Sequence, residues 1–445
     1  MYREIIESLK EWKTRSDRKP LLVTGVRQCG KTYTLKEFGR TEFEDLAYFN
    51  FEEDDTLSSV FDHDLKVDRI LDELGSVVRG SAIRPGKTLV IFDEIQACPR
   101  AITSLKYFCE NLPELHLIAA GSLLGVALGK GGVSFPVGKV NRLEMLPMSF
   151  PEFVRADGGA NLIDGLKKLD LFREIPALYS VPLIRYLKLY YVIGGMPEVV
   201  RLWAETHDFN AVTRKQDEIL ADYAADFGKH APAGDLTKIR MVWGSVPVQL
   251  AKENNKFIFS HVKTGARAKD LEDALQWLEA AGLVSKLCLV AKPQLPLSGE
   301  ADQTYFKLYM SDIGLLCRRS GIYYKTILDG DEHFIRMKGA LTENYVLTQL
   351  QSMNIPAWFW RTDANAEVDF LTDPNGLLLP IEVKSADNTK AKSLQLFCSR
   401  YQPKTAIKTS LKNVGTDTVG STSLWSIPLY ALFRLRDYID AAVYS

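Results

Sequence analysis

The chain has 445 residues, 46% of them hydrophobic and 25% charged, with 55 basic against 56 acidic side chains. That composition excludes bulk disorder, a collagen-like chain and a coiled coil, and at about 150 residues per domain the length fits about three domains. With a formal net charge of -1 there is no global positive field to hold nucleic acid, so such a site must be a local patch. Cys29, Cys98, Cys109, Cys288, Cys317 and Cys398 are scattered without a CxxC pair, which excludes a disulfide scaffold and a zinc ribbon and fits reduced thiols. The N-terminal stretch is charged and amphipathic, unlike a signal peptide. No window of about 18 apolar residues predicts a membrane span. A cytoplasmic, multidomain protein is expected, with no membrane partner.

In chain order, Ile5, Leu9 and Trp12 fall at helical spacing and Lys19-Pro20 ends that helix. Leu21 to Thr24 is a short apolar run before a glycine loop, the pattern of a buried parallel strand. Thr32 to Gly39 is expected as a helix. Leu46 to Asp54, Thr88 to Phe92 and Leu115 to Ala120 are expected as further strands, and strands separated by helices predict an α/β layer with a parallel sheet. Gly129 to Gly138 reads as a loop. Past Pro151 long helices are predicted, including Leu183 to Tyr191 and Thr213 to Phe227, with a Gly-Gly/Pro turn between them. Residues 240 to 290 read as a helix, then Phe257 to Phe259, a helix from Lys269 to Ala281 and a strand from Leu283 to Val290. That is the order of a winged helix, with Lys263, Arg267 and Lys269 at the entry of its recognition helix. A packing module with a solvated basic edge gives the same pattern. Phe334 to Met353 is expected as a helix, Trp358 to Trp360 as a strand, then a hairpin around Asp373 to Gly376 and a basic helix from Thr389 to Tyr401. Expected boundaries are an α/β domain with a parallel sheet over 1–160, a helical segment over 161–235, a winged-helix-like domain over 236–325 and a last α/β domain over 326–445.

GVRQCGKT, Gly25 to Thr32, fits G-x-x-x-x-G-K-[ST] and lies between a predicted strand and a predicted helix. Gly25, Val26, Arg27, Gln28, Cys29, Gly30, Lys31 and Thr32 are the expected phosphate cradle. The glycines let main-chain N–H groups curl around phosphate oxygens, and the new helix aims its positive end at them. Lys31 is expected on the β- and γ-phosphates and Thr32 on Mg²⁺. TLVIFDEIQ ends a buried strand in Asp93-Glu94. Asp93 is expected to hold the metal through its water shell, and Glu94 stands where a base polarises the attacking water. Another strand ends at Gly121-Ser122, where Ser122 can sense the γ-phosphate or be an ordinary strand-end serine. Arg100 and Arg142 are candidates for an arginine acting in trans.

The second constellation is Glu343, Asp369, Glu382 and Lys384. A turn centred on Pro374-Asn375 predicts Asp369 opposite Pro380 and Glu367 opposite Glu382. Side chains alternate along a strand, so Glu367, Asp369, Glu382 and Lys384 then share one face, provided the register holds. Glu343 lies three, four and seven positions before Val346, Leu347 and Leu350, on the apolar face of its helix, where a carboxylate needs a partner. Carboxylates with a lysine on a hairpin face suit a Mg²⁺-dependent phosphodiesterase. Asp369, Glu382 and Glu343 would bind metal and Lys384 would position the attacking water. A salt-bridge network without metal, Lys384 with Glu382 or Asp369, gives the same residues. Lys390, Lys392 and Arg400 could meet a phosphate backbone or face solvent. His63, His116, His207, His230, His261 and His333 show no metal-ligand spacing, and Tyr190, Tyr191, Trp358, Phe359 and Trp360 are expected in the core.

Read together, GVRQCGKT, IFDEIQ, AAGSLLG, VNRLEMLPMSFPEF, YYVIGGMPEVV and FKLYMSDIGLL resemble the prokaryotic AAA+-like ATPases, from about Arg18 to about Tyr401. In that family an ATPase module precedes a C-terminal domain of unknown function related to PD-(D/E)XK nucleases. The resemblance implies ATP rather than GTP, a nucleotide site with Lys31, Thr32, Asp93, Glu94 and Ser122 in the roles above, and sites shared between the subunits of a homo-oligomer. Where the family often has Gly-Arg, this chain has Gly138-Lys139, and lysine lacks the planar fork of an arginine finger. Three functions follow as expectations. The first is a Mg²⁺-dependent ATPase whose nucleotide state is coupled to its C-terminal domain. The second is an ATP-regulated endonuclease on DNA or RNA. The third is a non-catalytic, nucleotide-switched module that binds nucleic acid or a protein.

Overall fold

The structure is a computed structural model that describes every residue except 130–134, 233, 253–255, 330–334, 363–365, 385–390 and 445. The chain divides into two compact units. One comprises Tyr2–Pro147 with Trp277–Leu283, the other Met148–Gln276 with Val284–Ser445.

The first unit is built on five parallel strands in the order β2-β3-β4-β1-β5, with β1 at Leu21–Thr24, β2 at Asp45–Asn50, β3 at Thr88–Asp93, β4 at His116–Ala120 and β5 at Asn141–Glu144. β3 and β4 are buried along their whole length, and a parallel strand covered on both faces reads as an unbroken apolar run. On one face Leu22, Val90, Phe92 and Leu117 meet Ile102, Leu105 and Phe108 of helix Pro99–Asn111, each large side chain contributing about 1.5–3 kcal/mol by burial. β2 stops at Asn50, short of the expected Asp54, because the Asn50 side chain accepts the Glu52 N–H (3.0 Å) and turns the chain. β5 was not legible. It is an edge strand of sequence NRLE that alternates half-buried and exposed residues, so it has no apolar run. Ligands of open parallel sheets bind beyond the carboxyl ends of the strands. Here those ends lead into Gly25, Glu94 and Gly121-Ser122.

The second unit holds helices Ala177–Ile193, Phe209–His230 and Leu236–Leu250 and a mixed eight-stranded sheet. Its strands are β6 (Val284–Val290), β7 (Ala301–Met310), β8 (Trp358–Arg361), β9 (Glu367–Thr372), β10 (Leu379–Val383), β11 (Thr405–Ser410), β12 (Gly415–Val419) and β13 (Thr422–Pro428), ordered β12-β13-β11-β10-β9-β8-β6-β7. Helices Phe259–Val262 and Ala268–Ala280 precede β6, and Lys263, Arg267 and Lys269 are exposed. β6 pairs with β8, so the hairpin of the third expected segment shares a sheet with the fourth. Helix Lys392–Tyr401 covers one face, where Leu394, Phe397 and Cys398 join Trp360, Val368 and Ala406. Phe359, Trp360, Tyr190 and Tyr191 are buried. The expected helix starts at Phe334 and at Thr389-Lys390, and residues 130–134 of the glycine-rich loop, lie outside the described residues. Among the described residues no helix is long and apolar enough to cross a membrane.

The hairpin register differs from the expected one by two residues. Pro380 faces Leu371 and Ile381 faces Phe370, which carried one step on sets Glu382 across from Asp369. The turn is centred one residue later, because Asn375 (φ 53°) and Gly376 (φ 75°) take up the left-handed backbone that these two residue types accept most readily. A shift by two preserves the faces, so Glu367, Asp369 and Glu382 remain on one side.

Candidate functional site

The loop from Gly25 to Thr32 leaves β1 and enters helix Lys31–Glu42 through left-handed backbone at Gln28 (φ 64°) and Gly30 (φ 90°). Gly25 has φ 143°, and a Cβ there would lie 2.1 Å from the Met145 carbonyl oxygen, so only glycine lets the loop begin this close to the chain that follows β5. The first N–H groups of the helix have no intrahelical acceptor and present partial positive charge to an anion. Lys31 is buried, and its ammonium donates to the carbonyls of Gly25 (2.8 Å) and Val26 (3.0 Å). Cys29 is buried as well. Arg3, which the sequence did not single out, donates to the Cys29 carbonyl (2.8 Å) and to the Leu146 carbonyl (2.6 Å), tying the loop to the end of β5.

Asp93, at the end of β3, is 1% exposed and accepts a hydrogen bond from the Thr32 hydroxyl at 2.6 Å. The Tyr48 hydroxyl donates to the same oxygen at 2.9 Å. Burial and the Asp93 charge hold the Tyr48 phenol above its ordinary range, so it stays a donor. A carboxylate and a hydroxyl in contact beside an anion loop are hard oxygen ligands that fit Mg²⁺ carried in with a triphosphate. Tyr48 orients the carboxylate from behind. Tyr48→Phe is expected to raise the magnesium concentration for half-maximal ATP turnover about 10-fold, read from a magnesium titration of phosphate release.

Glu94 follows with φ 48°, a conformation that costs a non-glycine residue about 1–2 kcal/mol. Its Oε2 accepts from the Gln96 side-chain amide at 2.6 Å and from the Ser122 N–H and hydroxyl, each at 3.4 Å. A Cβ on Gly121 would lie 2.1 Å from the Gln96 amide oxygen, so glycine there makes room for the residue that holds Glu94. Gln96 sits in the IFDEIQ motif but carried no signal of its own. A cavity of about 230 Å³ opens beside Gly25 and Ser122, lined also by Thr24, Arg142, Glu144 and the turn through Ala281-Gly282. Arg100 instead donates to the Phe61 carbonyl, and Lys139 pairs with Glu110 at 2.9 Å.

In the second unit the sheet brings the C-terminal carboxylates together and adds residues the sequence reading missed. Asp369 accepts the Val383 N–H at 2.7 Å. Lys384 pairs with Glu382 Oε1 at 2.5 Å, while Glu382 Oε2 is buried without a hydrogen-bond partner among the described residues. Glu343 does not turn toward that pair alone. Its Oε2 accepts from the Tyr309 hydroxyl (2.6 Å) and from Lys307 (3.2 Å), and Lys307 also binds Glu367 at 2.6 Å. Arg361 reaches Glu367 at 3.7 Å. Lys307 and Tyr309 come from β7, where they alternate with the apolar Phe306, Leu308 and Met310. The lysine inside that strand was the available signal, since a buried ammonium requires partners.

Burial, then the Glu382 and Glu343 carboxylates, push the Asp369 carboxyl well above the usual carboxylate range, and burial raises Glu382 as well. Burial alone would lower the Lys307 ammonium, but Glu343, Tyr309, Glu367 and Asp369 outweigh it and raise it. Among the described residues no three His, Cys, Asp or Glu side chains form a metal-holding group. The donor set, with Glu343 committed to Lys307 and Tyr309, does not fit the three-carboxylate magnesium centre expected from Glu343, Asp369 and Glu382. Because burial raises the Asp369 carboxyl in the native state, this group's contribution to stability is full below about pH 4, where the unfolded chain is protonated too, and falls as pH rises from there toward the raised native value. Asp369→Asn is therefore expected to raise the melting temperature relative to wild type at pH 7 and to lose that gain at pH 3, by calorimetry.

Residues 17–154 match the AAA domain family, residues 184–326 match a domain of unknown function, DUF8612, and residues 338–430 match another, DUF4143. No curated protein matches the chain. Among solved structures, a Walker-type ATPase of Pyrococcus abyssi is similar at 14% identity, with 71% of this chain and 95% of that chain covered and a TM-score of 0.45. The ORC2 protein of Aeropyrum pernix, solved with ADPNP and ADP, is similar at 13% identity, with 75% and 95% covered and a TM-score of 0.36. The AAA-domain match falls on the segment that carries the glycine loop, the Thr32–Asp93 contact and the parallel sheet, and it supports a P-loop ATPase reading of residues 17–154.

Proposed function

We propose that the protein binds ATP with magnesium in the loop from Gly25 to Thr32, hydrolyses it, and passes the nucleotide state to its C-terminal part. The observation that carries this reading is the 2.6 Å contact between Thr32 and the buried Asp93 beside a glycine loop at the start of a helix. Thr32 and Asp93 would hold magnesium, which when bound would supply charge neutralisation at the phosphates. Lys31 exchanges its contacts with the Gly25 and Val26 carbonyls for phosphate oxygens. Glu94 is the base that orients and deprotonates water, and Gln96 and Ser122 hold it until then. The main-chain N–H groups of the loop position the triphosphate. Among the described residues no side chain is assigned to reading the base, and ATP is preferred over GTP on family resemblance alone.

The test is Glu94→Gln, which keeps the shape of the side chain and its acceptor oxygen. ATP affinity by fluorescence titration is expected to be unchanged, while phosphate release falls by about 10²–10⁴-fold. Failure of the wild-type chain to take up ATP would overturn the reading. The ion pairs around Glu343, Glu367 and Glu382 favour a second element of the same reading, in which the C-terminal part is a non-catalytic binding module for nucleic acid or a protein. Turnover measured with and without DNA, RNA and a candidate protein identifies the class of partner. Mg²⁺-dependent nucleic-acid cleavage lost in Asp369→Ala would replace the module by an endonuclease. Homo-oligomer formation on ATP binding is part of the proposal and is read by light scattering.

A further inference from the structure

We propose that Lys307 is the resident cation of the C-terminal carboxylate cluster, standing where a divalent metal would otherwise bind, so that the intact cluster takes up neither magnesium nor manganese. It acts instead as an ion-paired clasp that fastens β7 to β9 and to helix Ile335–Ser352. The inference is independent of ATP hydrolysis and concerns residues of the second unit only.

The geometry comes first. Lys307 is 1% exposed, its ammonium lies 5.1 Å from the centre of the Phe359 ring, and it bridges Glu343 of the helix to Glu367 of β9. The Tyr309 hydroxyl takes the same Glu343 oxygen, so the helix-borne carboxylate is spent on two donors from β7. Asp369 gives one oxygen to the Val383 N–H and Glu382 gives one to Lys384. The Glu382 oxygen that has no hydrogen-bond partner among the described residues is one ligand, and a hard cation takes about six oxygens.

Charge points the same way. The cluster formally holds four carboxylates, the ion-paired Glu343, Glu367 and Glu382 and the hydrogen-bonded Asp369, against three cations, Lys307, Arg361 and Lys384. A divalent ion added to that single negative charge would leave a buried positive charge beside two ammonium groups. Without Lys307 the cluster carries two negative charges, which a divalent ion neutralises. Lys307 lies on β7, outside the 338–430 segment that holds the carboxylates. The carboxylate pattern taken alone therefore overstates the metal affinity of the site.

The experiment is a manganese titration of the full chain without nucleotide, with free Mn²⁺ read by electron paramagnetic resonance. It compares wild type, Asp369→Asn, Lys307→Gln and the double variant, so that any manganese held at the phosphate loop cancels. Wild type and Asp369→Asn are expected to bind the same number of ions. Lys307→Gln is expected to gain one site per chain, and the double variant to lose it. An Asp369-dependent manganese site in the wild-type chain, or a folded Lys307→Gln with no added site, overturns the proposal. Should Lys307→Gln fail to fold by circular dichroism, the comparison of wild type with Asp369→Asn decides alone.

Discussion

Lys31→Ala is expected to lower ATP turnover by at least about 10²-fold, the usual loss when one preorganised donor to a developing phosphate charge is removed. Lys31 is buried and already desolvated, with its ammonium on two loop carbonyls. Its charge therefore needs little reorganisation to meet phosphate oxygens. Alanine at the first helical position retains helix propensity, so the fold is expected to persist. The same variant separates binding from folding. ATP at about 100 times its dissociation constant stabilises a protein by about 2.7 kcal/mol, so wild type is expected to melt higher with ATP and Lys31→Ala is expected to show no such shift. Turnover in Lys31→Ala equal to wild type would remove the phosphate loop from the mechanism.

Lys307→Met is expected to cost about 3 kcal/mol of stability in the C-terminal unit, the low end of the range for breaking a buried ion pair. The cost arises from what is left behind. Glu343 and Glu367 lose their shared ammonium while their side chains are only 15% and 25% exposed. Arg361 still reaches Glu367 at 3.7 Å and the Tyr309 hydroxyl still serves Glu343, which keeps the loss from the upper end. Adding Glu343→Gln removes one stranded charge, so the double variant is expected to recover part of the loss. Non-additivity of about 1–3 kcal/mol is the signature of a direct pair. Chemical denaturation of the single and double variants measures it, and additive losses would show that Lys307 and Glu343 do not act together.

The glycine loop and the acidic end of β3 were legible because they are written in consecutive residues. The loop needs glycines and a lysine at fixed spacing, and β3 is buried on both faces, so Asp93 and Glu94 stand out at the end of an apolar run. Tyr48, Gln96 and Arg3 were not legible. Each acts through a partner far along the chain or by a side-chain orientation, and none of the three carries a spacing signal of its own. Glu367, Asp369 and Glu382 share one face although the register differs from the expected one by two residues, because an even shift leaves the alternation of side chains unchanged. Their partner Lys307 was missed because it belongs to a hairpin whose place beside β8 follows from the pairing of Leu289 with Phe359, 70 residues apart.

Sequence alone determined the parallel α/β character of the N-terminal part, the phosphate loop and the acidic end of β3, since local spacing and burial periodicity fix these. Only the tertiary structure decided that Thr32 touches Asp93, that Glu94 is held by Gln96 and Ser122, and that an ammonium from β7 sits among the C-terminal carboxylates. The physical reason is that a charge's chemistry depends on the neighbours within a few ångströms, and those neighbours are chosen by the pairing of strands distant in sequence.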